Sequence, residues 1–356
     1  MNRLSYLFAV ALFCSSSVCA QYAPSIPFEA DAEFLRLPEG VYFGEVPAVA
    51  VNSQGHIFVF SRSNPSGGGP AYGIHAAQLF EFDTTGGFIR EHGRSLYAWA
   101  FAHAVRTDAD DNIWTVDKGS NMVVRMDPRG RVVWVFGRKP ESISENARPF
   151  AHVDPPLPPQ DGRFREPTDV AFDSAGNIYI ADGYVNSRVA KYDVNGDWVK
   201  SWGEPGEGPG EFHLPHSIAI DRNDNIYVGD RSNARVQVFD TDGNFLRMFS
   251  VATPIRPGSR AVNGPTPDNL SNVPGNGAPN SLCIPPDSNV IYVGESTFPG
   301  RIIKATLQGE VLGVIGNSGR NPGEFSGAHG LACPSENVLF VAETSNSRVQ
   351  KLLLNP

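Results

Sequence analysis

Two stretches of this sequence decide the fold. Residues 166–182 read EPTDVAFDSAGNIYIAD, and residues 214–230 read LPHSIAIDRNDNIYVGD. Each contains a short apolar strand, a turn of the form D-x-x-G/D-N, and a second strand rich in β-branched and aromatic residues. A third strand follows, then another Asp-Gly turn and a fourth strand that often ends in an aromatic residue and glycine. Such internal similarity indicates a repeat of four-stranded units.

Six such units can be counted from their first two strands. They begin near Val49, Ala102, Thr168, Pro215, Asn280 and Ala328. Six repeats of four antiparallel strands predict an all-β fold, a six-bladed β-propeller. The last unit ends after three strands, so Glu33–Leu37, ahead of the first unit, is predicted to supply the strand that closes it. We therefore expect an N-terminal segment at 21–44 that carries the closing strand, and the propeller at 45–356.

Composition agrees with a globular β protein and excludes one class of partner. The chain has 356 residues, 36 Gly, 29 Pro and 41% apolar residues, with a net charge of −9 and no run of basic residues. Nucleic acid is therefore excluded as a partner. Residues 1–20 contain Arg3, a short apolar core and Val18-Cys19-Ala20, which is typical of a secretory signal peptide. We expect an exported chain, periplasmic or secreted, that has no membrane span and acts as a monomer.

Two longer insertions follow the second and fourth units. Residues 138–165 include the run Pro155-Pro156-Leu157-Pro158-Pro159, and residues 251–279 are rich in Pro, Gly and Asn. Such compositions do not build strands, so both segments are predicted as loops that rim a pocket on one face.

Two cysteines, Cys283 and Cys333, remain once the signal peptide is removed. In an oxidising compartment they can form a disulfide. Two buried free thiols are the alternative, and the sequence leaves both open.

Three of the eight histidines recur with a constant interval. His103, His216 and His329 lie at the start of the first strand in units two, four and six, and 113 residues separate each from the next. Because the first strand of a propeller blade lines the central channel, alternate blades should direct three imidazoles at the axis. Three neutral imidazoles with an open fourth position are typical of catalytic zinc. Duplication of repeats explains the interval, but not why Thr168 and Asn280 stand near this place in units three and five, so we predict a zinc site.

The remaining charged residues of the repeats are interpreted as structural. Acidic residues end the second strand in five blades, and arginines recur a few positions later; these are Asp117, Asp182, Asp230, Glu295 and Glu343, with Arg188, Arg235 and Arg348. The other histidines show no pattern and are interpreted as surface or loop residues; these are His56, His75, His92, His152 and His213.

Loops that join the second and third strands lie on the same face as the start of the first strand. They contain Arg62, Tyr184 and Arg231. A tyrosine beside a metal can act as a base, and an arginine can bind a carboxylate through two N–H groups. Local hydrogen bonding within each loop is the alternative role for these side chains.

The units resemble NHL repeats, and within that group the chain resembles the peptidyl-α-hydroxyglycine α-amidating lyase family. The resemblance runs from about Glu45 to Leu352 and is strongest at residues 167–171, 182–188 and 215–217. It implies a six-bladed propeller with zinc held by three histidines, catalytic arginine and tyrosine residues, and a substrate-binding arginine. These positions match His103, His216 and His329, then Arg62 and Tyr184, then Arg231.

The resemblance also implies a structural calcium ion, bound by backbone carbonyls at Val49 and Val105 and by an aspartate after the last histidine. At that point the family's Met-Pro-His-Asp is Gly327-Ala328-His329-Gly330 here, so both the methionine and the calcium aspartate are replaced by glycine. Cysteines of the family's loops are Val185, Tyr227 and Val238 in this chain.

The implied reaction cleaves the C–N bond of a peptidyl-α-hydroxyglycine and gives an amidated peptide and glyoxylate. The expected substrate is a peptide or a small molecule with a related α-hydroxy-amide group. Two other functions remain open: a metal-dependent hydrolase or lactonase that uses the same metal, and a non-catalytic binding propeller.

Overall fold

The computed structural model describes residues 22–62, 76–139, 155–295 and 298–354 of the chain. Within these ranges the strands form six four-stranded sheets, which confirms the predicted all-β, six-bladed propeller. The described residues contain no helix that is both long and apolar enough to cross a membrane. The predicted signal peptide at residues 1–20, His75 and His152 lie outside the described residues.

The blades are numbered in chain order, and the strands of each blade are given from the axis outward. Blade 1 contains β2 Glu45–Val51, β3 Ile57–Arg62, β4 Ala77–Phe82 and β5 Phe88–His92; blade 2 contains β6 Ala102–Thr107, β7 Ile113–Asp117, β8 Met122–Met126 and β9 Val132–Gly137. Blade 3 contains β10 Asp169–Phe172, β11 Ile178–Asp182, β12 Arg188–Tyr192 and β13 Trp198–Trp202; blade 4 contains β16 Pro215–Ile220, β17 Ile226–Asp230, β18 Arg235–Phe239 and β19 Phe245–Phe249. Blade 5 contains β20 Pro279–Cys283, β21 Val290–Glu295, β22 Ile302–Thr306 and β23 Val311–Ile315; blade 6 contains β26 Ala328–Ser335, β27 Val338–Glu343, β28 Arg348–Leu354 and the N-terminal β1 Phe28–Asp31. Between blades, β14 Glu204–Pro205 pairs with β15 Glu211–Phe212, β24 Asn317–Ser318 pairs with β25 Glu324–Phe325, and Arg231–Asn233 forms one turn of 3-10 helix.

The sixth blade is closed by an N-terminal strand, as expected, but the predicted residues were wrong. The strand that pairs antiparallel with β28 is β1, with Phe28 opposite Leu354 and Asp31 opposite Lys351. Glu33–Leu37 instead crosses the seam between blades 1 and 6, where Phe34 packs against Phe340. Residues 28–31 read FEAD and alternate strictly, whereas residues 33–37 read EFLRL with two adjacent apolar residues, so the alternation favours the segment that closes the blade.

Aspartates fix the tight turns that join the strands. In Asp173 and Asp221, Oδ1 accepts the N–H groups of the residues two and four positions later, at 2.8–3.0 Å. This bonding satisfies backbone groups that a tight turn would leave without partners. The D-x-x-G/D-N pattern therefore has a local cause, and it places the first strand of each blade along the channel.

Buried ion pairs tie the second strand of a blade to its third, which supports the structural interpretation of the recurring acids and arginines. The five carboxylates at the ends of second strands are fully buried, and four of them accept a guanidinium N–H; the pairs are Asp182–Arg188, Asp230–Arg235, Glu295–Arg301 and Glu343–Arg348, at 2.7–3.1 Å. The fifth, Asp117, accepts the backbone N–H groups of Ala100, Phe101 and Ser120 instead. Arg301 belongs to this set although the sequence analysis did not include it. Loss of one partner from such a pair leaves an uncompensated buried charge.

His92 is also buried, so its interpretation as a surface or loop residue was wrong. Its Nε2 lies 2.8 Å from Oε2 of Glu81, a carboxylate that also contacts Nδ1 of His56 at 2.8 Å. Glu81 and His92 lie in β4 and β5, the two outer strands of blade 1, away from the axis.

Cys283 and Cys333 form a disulfide, which decides between the two alternatives left open by the sequence. The bond joins β20 of blade 5 to β26 of blade 6 across a sequence separation of 50 residues. It therefore links the blade that carries His329 to its neighbour.

Replacement of both cysteines with serine is expected to lower the free energy of unfolding by about 2–4 kcal/mol, because the closed loop restricts the unfolded chain. Urea denaturation of the oxidised proteins measures the difference. Dithiothreitol provides the control, since it should bring the unmodified protein to the level of the double variant and leave that variant unchanged. Equal stability of the two oxidised proteins would contradict the prediction.

Candidate metal centre

The three recurring histidines occupy the same irregularity in the sheet. In blades 2, 4 and 6 the first strand contains one extra residue near its start, and that residue is the histidine: His103, His216 or His329. A β-bulge of this kind turns the side chain of the extra residue away from the regular alternation. The bulge thus explains why these side chains point to the axis.

Each of these imidazoles is held by the blade that follows it. Its Nδ1 lies within hydrogen-bond distance of a backbone carbonyl at the corresponding position of the next blade; the pairs are His103 with Thr168 (2.6 Å), His216 with Asn280 (2.7 Å) and His329 with Pro47 (2.9 Å). Because a carbonyl oxygen only accepts, Nδ1 must carry the hydrogen. In the neutral ring the lone pair then lies on Nε2, so this nitrogen is free to bind a metal ion.

The three rings form a nearly equilateral triangle. Their centroids lie 4.6–4.8 Å apart, and one ligand nitrogen from each lies within 4.8 Å of the other two. Burial lowers the pKa of all three imidazoles, and nearby positive charges lower it further, with the pKa of His329 at about 3. All three rings are therefore neutral at physiological pH, which suits metal binding.

Tyr184 places its hydroxyl directly against this triangle. The oxygen lies 3.3 Å from Nε2 of His103 and 3.2 Å from Nε2 of His216. The preceding residue must be glycine, because a Cβ at Gly183 would collide with the carbonyl oxygen of Pro215. The close approach of the loop after β11 to blade 4 therefore brings the phenol to the axis.

Arg62 and Arg231 lie on opposite sides of the site. Arg62 is buried, donates through Nε to Ala102 O at 2.7 Å and through Nη1 to Glu45 at 2.8 Å. Burial lowers its pKa, an effect opposed by the negative charge of Glu45. Arg231 is half-buried in the 3-10 turn, with its guanidinium carbon 5.9 Å from the centroid of the Tyr184 ring. The structure thus brings together every side chain that the sequence analysis assigned to catalysis, substrate binding or zinc.

Lys118 belongs to the same site and was missed by the sequence analysis. Its Nζ lies 3.6 Å from the centroid of the Tyr184 ring and 3.3 Å from Oε2 of Glu166. The available signal was positional, because Lys118 directly follows the strand-end acid Asp117 as Arg231 follows Asp230. Glu166 is buried, and that burial outweighs the attraction of Lys118 and raises the pKa of its carboxyl to about 7.

The donor set fits a zinc ion. Three Nε2 lone pairs and a phenolic oxygen converge at this point. The hydroxyl has only one hydrogen to donate, so it can bond to only one of these lone pairs at a time. Three imidazole ligands with a further oxygen donor are a usual set for zinc, so the site suits one small cation.

The residues at the implied calcium position do not fit that ion. Val49 and Val105 lie in β2 and β6 as expected, but Gly330 supplies no carboxylate, and a Cβ built on it would lie 2.6 Å from Pro47 O. Arg106, the residue after Val105, lines this part of the channel and forms an ion pair with Asp169 at 2.6 Å. A calcium ion beside a guanidinium is electrostatically unfavourable, so we assign it no role.

A cleft of about 570 Å³ leads away from Tyr184 between blades 3 and 4. Its walls include Pro156, Leu157, Phe212 and Leu214, while Glu204 and Glu207 lie at its exposed edge. The first insertion thus rims a pocket beside the site, as predicted, whereas residues 251–279 of the second insertion are not among those that line this cleft. Residues 140–154 of that insertion lie outside the described residues.

Fold and site together define a six-bladed β-propeller of the NHL-repeat type with three histidines on its axis. A family model described as a 6-bladed beta-propeller matches residues 162–254. The probable peptidyl-alpha-hydroxyglycine alpha-amidating lyase of Caenorhabditis elegans is 30% identical over 231 residues, which cover 60% of this chain and 61% of that protein. Peptidyl-alpha-hydroxyglycine alpha-amidating lyase 1 of Drosophila melanogaster is 27% identical over 352 residues, which cover 88% and 58%. Peptidylglycine alpha-amidating monooxygenase of Rattus norvegicus is 28% identical over 226 residues, which cover 57% and 21%.

These relatives confirm the resemblance to the amidating lyases. The chain spans between 21% and 61% of the length of these relatives. Among solved structures, a streptogramin B lyase superposes with a TM-score of 0.56 at 12% identity, covering 92% of this chain and 98% of that one. A gluconolactonase from Xanthomonas campestris gives 0.55 at 12%, covering 95% and 99%. At such identities the likeness shows the fold alone, whereas the relatives named as lyases support a lyase-type function for this kind of propeller.

Replacement of His216 with alanine is expected to reduce bound zinc from about one ion per chain to less than about one third, because two imidazoles hold zinc weakly. Elemental analysis after loading with excess zinc and dialysis measures the content. His213→Ala is the matched control, since His213 is three residues away and outside the triangle. Undiminished zinc in the His216 variant, or an equal loss in the control, would contradict this assignment.

Glu166→Gln is expected to change how stability depends on pH. Because burial raises the pKa of Glu166 from 4.5 to about 7, folding favours its neutral form, and this contribution is lost as pH rises from the first of these values through the second. Relative to its stability near pH 4, the unmodified protein should lose up to about 3 kcal/mol more than the variant by about pH 7, and the difference should then stay constant to about pH 8.5. Urea unfolding across that range tests the trend. A stability difference between Glu166→Gln and the unmodified protein that stays flat across this range would refute the prediction.

Proposed function

We propose that this chain is a zinc-dependent lyase that cleaves the C–N bond of a peptidyl-α-hydroxyglycine or a related α-hydroxy-amide and releases an amide and glyoxylate. His103, His216 and His329 would hold the ion. Bound there, zinc would supply a Lewis acid and a fixed positive charge beside the oxygens of the substrate.

One observation carries this proposal: the Tyr184 hydroxyl lies 3.2 and 3.3 Å from two of the three metal-binding nitrogens. A substrate oxygen that binds beside these nitrogens would therefore lie in contact with the Tyr184 hydroxyl. The site therefore combines a place for a cation with a proton acceptor in contact range. Relatives named as amidating lyases support the choice of reaction.

Tyr184 is assigned the proton transfer. As the phenolate, it would take the proton of the substrate's hydroxyl as the C–O bond gains double-bond character and the C–N bond breaks. The electron pair of the broken bond goes to the amide nitrogen, which then receives a proton from Tyr184. No water is consumed, so the reaction is an elimination and needs no further reactant.

Cations around the phenol favour this transfer. Lys118 lies over the ring and Arg62 is close enough to interact electrostatically with it, so both would stabilise negative charge on the phenolic oxygen. Arg231 is placed at the open side of the ring and would bind the carboxylate of the substrate through its planar N–H groups.

The cleft beside Tyr184 would hold the rest of the substrate. Its apolar walls suit an extended chain with an apolar side chain near the reacting carbon. An exported location agrees with such substrates, and it is supported by the disulfide, because these bonds persist in oxidising compartments.

Glyoxylate release by the zinc-loaded protein tests the reaction. We expect Tyr184→Phe to keep its zinc and lose at least about 100-fold in kcat. Lys118→Met should lower kcat about tenfold with little change in KM, because the lysine acts on charge that develops during the reaction.

Lys191→Met is the matched control for the lysine, since Lys191 lies over the ring of Tyr179 at 5.4 Å in the same propeller but away from the axis. It should retain full activity. Absence of glyoxylate, combined with turnover of esters or lactones, would refute the lyase and favour a metal-dependent hydrolase. Absence of all turnover with His216-dependent ligand binding would favour a binding propeller.

A further inference from the structure

Below the histidine triangle, the axial channel contains an ion pair in which the carboxylate is buried and the guanidinium is partly buried. Arg106 in β6 donates through Nε and Nη2 to the two carboxylate oxygens of Asp169, at 2.9 and 2.6 Å. Its third nitrogen, Nη1, donates to the carbonyl oxygen of Leu331 at 3.1 Å. The guanidinium therefore joins blade 2 to blade 3 and to blade 6 across the channel.

Asp169 extends this connection to the remaining side of the ring. Its Oδ2 also accepts from Ser217 Oγ at 2.9 Å and from the N–H of Ile218 at 3.1 Å, both in blade 4. The hydroxyl of Ser217 in turn accepts the N–H of Leu282 in blade 5 at 3.0 Å. One continuous set of hydrogen bonds thus connects five of the six blades through the axis.

The surroundings of the guanidinium are those of a cation site. Two carboxylate oxygens and a backbone carbonyl oxygen face it, which are the hard oxygen donors that calcium prefers. Gly330 allows the first strand of blade 6 to lie against Pro47 and offers no carboxylate of its own. The only carboxylate identified among these channel contacts comes from blade 3, and a cation of this chain already binds it.

We propose that Arg106 is the permanent cation of the axial channel, so that its guanidinium takes the place of a structural metal ion and the propeller is independent of calcium. The Asp169 side chain is only 3% exposed, so water compensates little of its negative charge, and Arg106 is the cation that pairs with it. Removal of the arginine would leave an uncompensated buried carboxylate beside carbonyl oxygens. Such a site should then accept a divalent cation from solution.

Thermal unfolding of the zinc-loaded protein with and without about 1 mM calcium chloride tests this. For the unmodified chain, calcium should shift Tm by less than about 1 °C, and equilibrium dialysis should show no bound calcium. Arg106→Met should lower Tm by about 5 °C or more, and calcium should restore at least half of that loss. The zinc content should be unchanged in all samples, which separates this effect from the histidine site.

Two further variants make the test specific. Arg125→Met removes another arginine of blade 2 that stacks on Trp134 outside the channel, and it should show no calcium response. The double variant Arg106→Met with Asp169→Asn should also lose the response, because the carboxylate is gone. Arg106→Lys, which keeps the charge, should remain indifferent to calcium, and it provides the comparison if Arg106→Met fails to fold.

A calcium ion bound by the unmodified chain, or a Tm that rises by about 5 °C with calcium, would overturn the proposal. A folded Arg106→Met protein with normal zinc content and no calcium response would overturn it as well. If Arg106→Met does not fold, a Tm of Arg106→Lys that depends on calcium would also overturn the proposal. These outcomes do not depend on which reaction the protein catalyses.

Discussion

The structure depends on a ring of hydrogen bonds at the start of the first strands. In each blade a side chain from this region donates to a backbone carbonyl of the next blade. The six bonds run from Arg62 to Ala102, His103 to Thr168, Thr168 to Pro215, His216 to Asn280, Asn280 to Ala328 and His329 to Pro47, at 2.6–3.2 Å. The residues that orient the site are therefore the same residues that join the blades, so the spacing of the imidazoles is set by the closure of the propeller.

Electrostatic roles are divided along the axis. At the histidine triangle, burial keeps the imidazoles neutral and leaves their lone pairs directed at one point. Three cationic side chains, Lys118, Arg62 and Arg231, lie near the ring of Tyr184. Glu166 links one of them to the tyrosine, because its carboxylate contacts Lys118 while its carbonyl accepts the N–H of Tyr184 at 3.3 Å. Deeper in the channel, charge is balanced within one ion pair.

The propeller fold and the histidine triangle could be predicted from the sequence because each repeat is specified by its own residues. Turn aspartates and alternating apolar residues specify each blade separately, so the number of blades and their boundaries follow from pattern alone. The histidines were found because a constant interval in a repeat means an equivalent place in space. The disulfide was left undecided since the distance between two cysteines on adjacent blades depends on how the blades pack.

Other features depend on contacts between distant segments, which a single repeat does not encode. The choice of Phe28–Asp31 over residues 33–37 as the closing strand depends on pairing with β28 and packing against blade 6, although the strict alternation of residues 28–31 was an available signal. Lys118 was missed because its partner ring lies one blade further on. Arg106 and Asp169 were missed for the same reason, since they meet only where the first strands of two blades converge.

The pairing of β1 with β28 also determines when the site can exist. Strands from the two extremes of the described chain lie side by side, and His329 belongs to the blade that they complete. A nascent chain still on the ribosome can build the early blades while the third imidazole is absent. Because the three imidazoles of the proposed zinc site come from blades 2, 4 and 6, the complete set of ligands is assembled only once the last blade has folded.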